Sequence, residues 1–481
     1  MRALVLFVLL IVESIPAAAQ VVPPFDVTPP LIDVGSQATA VNINGQIVGY
    51  VANRVQAFSW SLEKGLRLLP TLGSTPVDAV AVNAAGLVIG TSNATNGRQH
   101  AYVWNSQTGQ MTDLGARLPQ PATNRSFATG INDDGYVVGR ASFTNGGLQH
   151  AIVWFPDGSF RDLGLGLAVA INARGQVAVT GSGVGECAGS GAYLWNLQTQ
   201  TKVCLGSFGA ETIPVALNDN GQVVGQARVP ATNPAVYHAF SWTQAAGIVD
   251  LGTLGGKLSA AVAVNSSGMV VGNSDVKVGF LNHQHAFKWT RVGGMKDLGT
   301  LGGLDSMAFA LNAKGQIAGV AQDQVGKDRG VVWSSAGNVE LGTLGGPSSR
   351  ARAINDNGLA VGSANTNLPF ISPTDTHAAA WVTSNAVCEN SVTLAYAAST
   401  LNLDFRLRTA IPGTWTAWLA LVGPPEKVAR LWSAPIPIVP SVATPRFSVP
   451  NVPPVGPVYA LTALATPEAL CTGYSVVNTG P

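Results

Sequence analysis

Three short motifs recur in a fixed order along about three quarters of the chain. The first is D-L-G, often extended to L-G-T-L-G-G. The second is N-x-x-G, set between small residues and G-x-V-V-G, and the third is H-A-F-x-W. Successive copies are 40 to 50 residues apart. A period of this length indicates a solenoid, a propeller or an array of repeats.

Two residues of the repeat allow its copies to be aligned. The asparagines of N-x-x-G are Asn42, Asn83, Asn132, Asn172, Asn218, Asn265, Asn312 and Asn355. The tryptophans of H-A-F-x-W are Trp60, Trp104, Trp154, Trp195, Trp242, Trp289, Trp333 and Trp381. Both series have eight members, so we expect eight structural units. The tryptophans are predicted to pack between neighbouring units.

Each copy contains four short apolar segments and no stretch long enough for an amphipathic helix. In the clearest copy the segments are Ser259–Val264, Met269–Gly272, His285–Trp289 and Met295–Gly299, and a tight turn at residues 265–268 joins the first two. Four β-prone segments between turn signals in each period are typical of a propeller blade. The small first segment is predicted to be the inner strand, followed outward by the second, the third and the D-L-G strand.

The order of the segments also predicts how the ring closes. Ile32–Gly35 resembles a D-L-G segment and precedes the first inner strand, whereas His377–Trp381 has no D-L-G after it. The N-terminal segment is therefore expected to supply the outer strand of the last blade, which removes the open sheet edges. The predicted fold is all-β, an eight-bladed β-propeller, with seven blades as the alternative.

Composition narrows the class of protein. Charged residues are 11% of the chain and the net charge is +1, whereas an average soluble domain has about 25% charged residues. No basic stripe is present, which argues against a nucleic-acid partner. After the N-terminus no apolar run reaches the roughly 18 residues of a membrane-spanning helix. We expect a monomer without a transmembrane segment.

The first residues have the pattern of a secretory signal peptide. Arg2 precedes the apolar run Ala3–Val12, and Ala17–Ala19 provide small residues before a cut at Gln20. We therefore predict a signal peptide at residues 1–19 and a proline-rich lead-in at residues 20–30. The repeats then occupy residues 31–383. The mature protein is expected in the periplasm or outside the cell.

Four cysteines agree with export. Three pairings are possible; Cys187–Cys204 is favoured because both residues flank the third strand of one repeat, which leaves Cys388 to pair with Cys471. No C-x-x-C pair is present, so a cysteine zinc site is not expected. The second pair would hold residues 384–481, which lack the repeat and are rich in proline. We predict a small β-sandwich there.

The combined pattern resembles the bacterial extracellular HAF-repeat family. The resemblance covers residues 31–383 and depends on H-A-F-x-W, D-L-G-T-L-G-G and A-x-N-x-x-G-x-V-V-G occurring together in that order. It implies an exported, propeller-like bacterial repeat protein. It carries no catalytic residues over to this chain.

The polar residues of the repeat are read as structural. The five repeat histidines are His100, His150, His238, His285 and His377. Equivalent positions in a ring lie too far apart to share one zinc ion, so each histidine is expected to bond a neighbouring loop or blade. The D-L-G acids Asp113, Asp162, Asp250 and Asp297 are expected to cap the turn after the outer strand. No cofactor and no metal are predicted.

Function is expected in the loops that differ between copies. The segments joining the second and third strands vary most, from Tyr50–Val55 to Gln226–Tyr237, Asn273–Gln284 and Ser363–Thr376. The sequence favours a non-enzymatic binding scaffold whose variable face contacts a glycan or an envelope protein. Two alternatives stay open. One is a structural envelope protein. The other is a polysaccharide hydrolase or lyase, which would draw on the acids outside the repeat, Asp78, Glu186, Glu211, Asp275, Asp305, Asp323, Asp328 and Asp375.

Overall fold

The computed structural model describes residues 25–27, 35–51, 55–61, 63–119, 124–143, 147–181, 187, 189–230, 234–278, 281–366 and 376–383, and the backbone of strands within 388–478. The predicted signal peptide and most of the lead-in lie outside the described residues. The described chain is all-β, and its helical content is a single 3-10 turn at Gly115–Arg117. Among these residues no helix has the length and apolar character needed to cross a bilayer.

The repeat region folds into antiparallel sheets of four strands, named here A to H in chain order. Sheet A contains Gln37–Val41, Ile47–Val51, Gln56–Ser61 and Gly65–Leu68. Sheet B contains Gly73–Val82, Leu87–Ala94, Gln99–Asn105 and Met111–Asp113. Sheet C contains Arg125–Ile131, Val137–Ser142, His150–Trp154 and the start of the long strand Phe160–Ile171. Sheet D contains the end of that long strand, Gln176–Gly181, Ala192–Asn196 and Thr201–Cys204.

The remaining sheets repeat the same order. Sheet E contains Thr212–Leu217, Val223–Val229, Val236–Thr243 and Gly247–Asp250. Sheet F contains Ser259–Val264, Val270–Val278, Leu281–Thr290 and Gly294–Asp297. Sheet G contains Gly302–Leu311, Ile317–Asp323, Asp328–Ser334 and Gly337–Glu340. Sheet H contains Gly345–Ile354, Leu359–Thr366, Thr376–Val382 and the N-terminal strand Phe25–Asp26. The predicted order of inner, second, third and outer strand is therefore confirmed.

Sheet H closes with the N-terminus, but not through the predicted residues. Phe25 and Asp26 pair with Ala380 and Ala379 of the third strand, and the backbone N–H of Val27 donates to the carbonyl of Ala378 at 2.8 Å. The pairing strand thus precedes the predicted segment Ile32–Gly35 and falls within what was predicted to be lead-in. Asp26 was missed because F-D-V lacks the glycine of D-L-G. Residues 28–34 lie outside the described residues.

The apolar residues of the repeat form one core between each pair of neighbouring sheets. The core of sheets H and A contains Ile47, Phe58 and Val361, and that of sheets G and H contains Trp381 and Val332. The other neighbouring pairs share equivalent cores. The repeat tryptophans are buried or half-buried in these cores, which confirms their predicted packing role.

Every inner strand carries a β-bulge at the same place. In sheet F the register shifts between Ala261 and Ala263, opposite the second-strand residues Gly272 and Val271. Equivalent shifts occur in the other inner strands. A side chain at Gly272 would collide with the carbonyl oxygen of Ala260, which explains the last glycine of G-x-V-V-G. A bulge changes the direction in which the side chain of its extra residue points, and in sheet F that residue is Val262.

Residues after 388 form further strands in two antiparallel sheets. The three-stranded sheet contains Cys388–Ala397, Thr400–Thr409 and Arg446–Pro450. The four-stranded sheet contains Gly413–Val422, Val428–Ile438, Pro457–Thr466 and Ala469–Asn478. The side chains of this region lie outside the described residues, and with them the predicted Cys388–Cys471 bridge. The β-sandwich stays a prediction.

Candidate functional site

The repeat asparagines form a circuit of hydrogen bonds around the inner ends of sheets A to H. Each side-chain amide donates to the backbone carbonyl of the equivalent asparagine in the next sheet, at 2.8 to 3.3 Å. The last of these bonds runs from Asn355 back to the carbonyl of Asn42 at 2.9 Å. The sheets are therefore arranged in a closed circuit.

The same asparagine also holds its own turn. The Oδ1 atom of Asn218 accepts the backbone N–H groups of Asn220 at 3.0 Å and Gln222 at 2.9 Å. The turn closes from the N–H of Gly221 to the carbonyl of Asn218, and Gly221 has a φ of 79°, a conformation that favours glycine. The predicted hairpin turn is confirmed. The circuit was missed because the acceptor of each amide lies 40 to 49 residues away along most of the chain.

The turns surround a cavity of about 490 Å³ where the inner strands end. Three acids lie at this opening, Asp133, Asp219 and Asp356. Each accepts a backbone N–H from the preceding sheet, donated by Ala84, Ala173 and Ala313 at 2.7 to 2.9 Å. These carboxylates tie adjacent turns together.

The variable hairpins lie at the opposite end of sheets A to H from this opening. Each second strand starts at an asparagine turn and ends at the hairpin that leads to the third strand. The predicted contact face and the turn-lined opening are therefore the two ends of a central space bordered by the inner strands.

The bulged residues are the extra residues of the innermost strands, which border this central space. They are Thr39, Val80, Thr129, Val169, Val215, Val262, Phe309 and Arg352. None is buried, and Val80 and Val215 are 41% and 42% exposed although both lie in innermost strands. The residues just before them are buried against the cores between sheets, such as Ala79 and Ala351. The bulge positions thus form an inward ring with one charged member.

Arg352 is that charged member, and its surroundings differ from those of a surface arginine. Its guanidinium carbon lies 4.4 Å from the ring centre of Phe309. Its Nε atom is buried and has no hydrogen-bond partner among the described residues. Burial lowers the pKa of the Arg352 guanidinium, the charge of Arg350 lowers it further, and the Tyr50 phenol acts in the opposite direction.

The repeat histidines bond acids within their own sheets. The Nδ1 atom of each lies 2.7 to 2.9 Å from the aspartate of the outer strand, in the pairs His100–Asp113, His150–Asp162, His238–Asp250, His285–Asp297 and His377–Asp26. Each repeat histidine thus has a carboxylate partner in its own sheet, which agrees with a structural role. The predicted neighbouring blade contributes in sheet F, where the Nε2 atom of His285 lies 3.1 Å from the carbonyl oxygen of Leu304 in sheet G. The partner that all five histidines share was not predicted, because it comes from the outer strand of their own sheet.

The aspartates also cap the following turn, as predicted. The Oδ1 atom of Asp250 accepts the N–H of Gly252 at 2.8 Å, and Asp162 and Asp297 accept equivalent bonds. Each aspartate thus joins the third strand to the turn that leads to the next inner strand. We call this histidine–aspartate contact the clasp.

The sheets without the histidine replace the clasp with other chemistry. In sheet G, Arg329 lies 2.9 Å from Asp323 and 3.7 Å from Glu340, which holds the aspartate position. In sheet A, Gln56 donates to the carbonyl of Leu69. In sheet D, Cys204 holds the aspartate position and is bonded to Cys187. The predicted Cys187–Cys204 disulfide is confirmed, and it takes the place of a clasp.

The acids outside the repeat each have their own local partner. The carboxylate of Asp78 accepts the N–H of Thr91 at 2.7 Å, that of Asp305 accepts the N–H of Gln284 at 3.0 Å, and that of Asp275 accepts the N–H of Leu258 at 3.3 Å. Asp323 and Asp328 pair with Arg329 and Arg350. Glu186 and Asp375 lie outside the described residues.

Glu211 bonds a tyrosine side chain and shifts its pKa. Its carboxylate accepts the hydroxyl of Tyr237 at 3.0 Å, and this bond together with the negative charge raises the pKa of the Tyr237 phenol. Within the described ranges no group of three or more histidines, cysteines or acids has a metal-binding arrangement. The acids of the variable end thus serve as acceptors for nearby donors.

Comparisons with known proteins identify no family. No protein-family profile matches the chain, and no curated protein matches it. Among solved structures, a streptogramin B lyase is similar with a TM-score of 0.32 and 12% identity, covering 65% of this chain and 93% of its own. A putative TolB from Agrobacterium tumefaciens has a TM-score of 0.30 and 12% identity, covering 58% and 87%. The fold is all-β and propeller-like; these distant similarities indicate no function.

Proposed function

We propose that the repeat region is an eight-bladed β-propeller of the HAF-repeat type, acting as an exported, non-enzymatic binding scaffold. Its variable hairpins would contact a glycan or an envelope protein. The observation that carries this proposal is the contrast between the two ends of the sheets. One end repeats the same turn and the same asparagine bond, whereas the other changes from sheet to sheet.

The hairpins at the variable end differ in length and in form. Strands of sheet F continue to Val278 and resume at Leu281, so most of the predicted loop Asn273–Gln284 is a regular hairpin. In sheet H the strands stop at Thr366 and resume at Thr376. Variable segments on a rigid framework are where binding proteins place their contacts.

Exposed apolar side chains occur at this variable end. Leu148 and Val325 lie in the hairpins of sheets C and G and are 71% and 77% exposed. Val55, Leu258 and Leu304 lie at the same end and are also exposed. Apolar groups surrounded by polar residues on a rigid surface suit a partner that excludes water from part of its contact.

Export is supported by the disulfide in sheet D, since disulfides persist in oxidising compartments. The N-terminal pattern of residues 1–19 points the same way. The proposed partner is therefore a molecule of the envelope or of the surroundings of the cell.

The test is a binding measurement on the mature chain, starting at Gln20. The protein is applied to an array of bacterial polysaccharides and to purified envelope proteins, and positive ligands are titrated. Val325→Ser is compared with Val292→Ser, because both valines are exposed in turns but Val292 lies at the opposite end. We expect Val325→Ser to weaken binding and Val292→Ser to leave it unchanged.

Two results would contradict the proposal. Binding that Val292→Ser weakens and Val325→Ser does not would move the contact to the other end. Shortening of a polysaccharide that is lost in Glu211→Gln or Asp305→Asn would favour the hydrolase or lyase instead. The second assay uses the same purified proteins, with chain length read by gel filtration of the polysaccharide.

A further inference from the structure

We infer that the central space binds a small carboxylic acid with an apolar body, and that Arg352 is the residue that recognises the carboxylate. The inference concerns the ring of bulge residues and is independent of any partner at the variable hairpins. It depends on the position, the packing and the missing partner of one guanidinium.

The position of Arg352 is set by the fold and not by the flexibility of its side chain. It is the extra residue of the bulge in Gly345–Ile354, flanked by the register pairs Ala351–Gly362 and Ala353–Val361. The equivalent residues of the other inner strands are four valines, two threonines and Phe309. A single cation therefore lies in an otherwise uncharged ring.

The Nε–H donor of Arg352 is buried and has no acceptor among the described residues. A guanidinium has five N–H donors and needs acceptors when it is removed from water. In the described chain no carboxylate forms an ion pair with Arg352, whereas Arg350 pairs with Asp328 and Arg329 with Asp323. The lowered pKa of the Arg352 guanidinium agrees with a cation that lacks a compensating anion.

Packing orients the guanidinium for a planar anion. Stacking on Phe309 covers one face of the group, which leaves the N–H edges for a ligand. The planar fork of an arginine matches the two oxygens of a carboxylate. Arg350, two residues along the same strand and half-exposed, adds positive charge nearby while its own ion pair with Asp328 holds it in place.

The rest of the ring defines the body of the ligand. The bulge residues Val169, Val215 and Val262 come from consecutive sheets, D to F, and Phe309 follows in sheet G. Phe309 lies next to the cation, and the three valines extend the apolar surface from it around the ring. A small organic acid with an aliphatic or aromatic body can bond the arginine and also cover the apolar surface, whereas a bare inorganic anion can only bond the arginine.

The experiment is isothermal titration of the mature chain with benzoate and hexanoate, and with their neutral amides benzamide and hexanamide. We expect one binding site for the acids and affinities for the amides weaker by about tenfold or more, because a charge-assisted hydrogen bond is lost. Inorganic sulfate is the third probe and is expected to bind more weakly than benzoate.

Arg352→Met removes the charge and keeps most of the side-chain volume, and Arg291→Met is the matched control on an exposed turn. We expect the affinity for benzoate to fall about tenfold or more in Arg352→Met and to be unchanged in Arg291→Met. Circular dichroism checks that both variants fold. If Arg352→Met fails to fold, the comparison of acids with amides on the unmodified chain decides alone.

Absence of binding by both acids would overturn the inference, as would equal affinity for acids and amides or equal affinity in Arg352→Met. If sulfate binds as tightly as benzoate, the inference that the ligand has an apolar body is overturned. Because Arg352→Met leaves the hairpin tips intact, failure here is distinguishable from failure of the proposed hairpin partner, which Val325→Ser tests separately.

Discussion

At the scale of single residues, the repeat asparagine performs two tasks with one side chain. Its oxygen holds the turn of its own sheet, and its nitrogen bonds the backbone of the next sheet. It is 93% or more buried in every copy. A buried amide with all its bonds satisfied stabilises the fold, whereas its removal leaves backbone groups without partners.

The chain provides a matched pair for measuring this effect. Asn218→Ala removes the bond to Asn265 and two turn bonds, all buried or half-buried, and we expect the free energy of unfolding to fall by about 2–4 kcal/mol. Asn220→Ala in the same turn removes an exposed bond to Ser266 and is expected to cost about 1 kcal/mol or less. Urea denaturation followed by tryptophan fluorescence measures both. Equal losses would mean that the circuit adds nothing to an ordinary turn bond.

Tyr193 gives a prediction about pH. Burial, together with the charge of Asp162, raises the pKa of its phenol from 10.0 to about 12. Between these values the unfolded chain loses the proton before the folded chain does, so this phenol lowers the free energy of unfolding as the pH rises from 10 to 12 and contributes no pH dependence below 10. Tyr193→Phe should make this decline shallower and remove one late step from the phenolate absorbance titration. A titration curve identical to that of the unmodified protein would contradict the assignment.

Residue roles could be predicted from the sequence only where the partner is near or chemically restricted. The histidines were interpreted as structural because zinc ligands must converge on one ion, and each of them bonds an aspartate of its own sheet. Their aspartates were predicted to cap turns because an aspartate side chain accepts backbone N–H groups that are near it in sequence. The asparagine circuit and the bulge ring were not predicted, because a period marks a position without stating which sheet its side chain reaches. Arg352 is conspicuous only after the bulge has placed it inward.

At the scale of one sheet, the position that the clasp occupies between the third and outer strands accepts several kinds of side-chain contact. A histidine–aspartate pair, an arginine with two acids, a glutamine bond and a disulfide all occur there. In sheet D the backbone also disfavours a return to the common pair. Gly191, which stands where the histidine would be, has a φ of 69°, a conformation that strains a histidine.

The disulfide is therefore expected to contribute more than the clasp it replaces. Its cysteines are 17 residues apart, and closing a loop of that size is worth about 3 kcal/mol in the chain-entropy view. We expect that loss from the pair Cys187→Ala with Cys204→Ala. His238→Ala with Asp250→Ala, in sheet E, should cost about 1 kcal/mol because that pair is partly exposed. Thermal denaturation of both double variants is the measurement, and a larger loss in sheet E would contradict this ranking.

Strand order and strand type were predictable for each sheet, while hairpin geometry was not. Alternating small and β-branched residues between glycine turns specify a strand and its place in the sheet. They do not specify whether the segment after it stays paired. Sheet F continues its ladder to Val278–Leu281, because its register has no bulge or proline to end it, and the sequence expectation of a loop there was wrong.

At the scale of the whole molecule, sheet H differs from sheets A to G because its outer strand does not follow its third strand along the chain. In sheets A to G the outer strand follows its neighbour along the chain, but in sheet H the outer strand comes from the N-terminus. The expectation of closure by the N-terminus was right. Its residues were misplaced, because a two-residue strand has too little pattern to distinguish Phe25–Asp26 from Ile32–Gly35.

The clasp of this sheet should accordingly matter more than any other. His377 and Asp26 have side chains 1% and 11% exposed, the most buried of the five pairs, and their bond spans almost the whole repeat region. Loss of the bond leaves this two-residue strand held by its backbone pairing and by Val27, which is buried in the core of sheets H and A. When that strand detaches, the open edge of Thr376–Val382 meets water or another chain.

Asp26→Ala is therefore predicted to destabilise the protein by about 2–4 kcal/mol, and Asp250→Ala, the same change in sheet E, by about 1 kcal/mol. Hydrogen exchange of residues 376–382 should become faster in Asp26→Ala, whereas the third strand of sheet E should exchange at its usual rate in that variant, because each sheet has its own core with its neighbours. A chain that starts at Gly35 gives the limit in which the outer strand is absent, and its exchange at 376–382 should match or exceed that of Asp26→Ala. If the two aspartate variants lose equal stability and residues 376–382 stay protected in both, the N-terminal strand is an accessory to a ring that the inner asparagine circuit, through Asn355 and Asn42, already closes by itself.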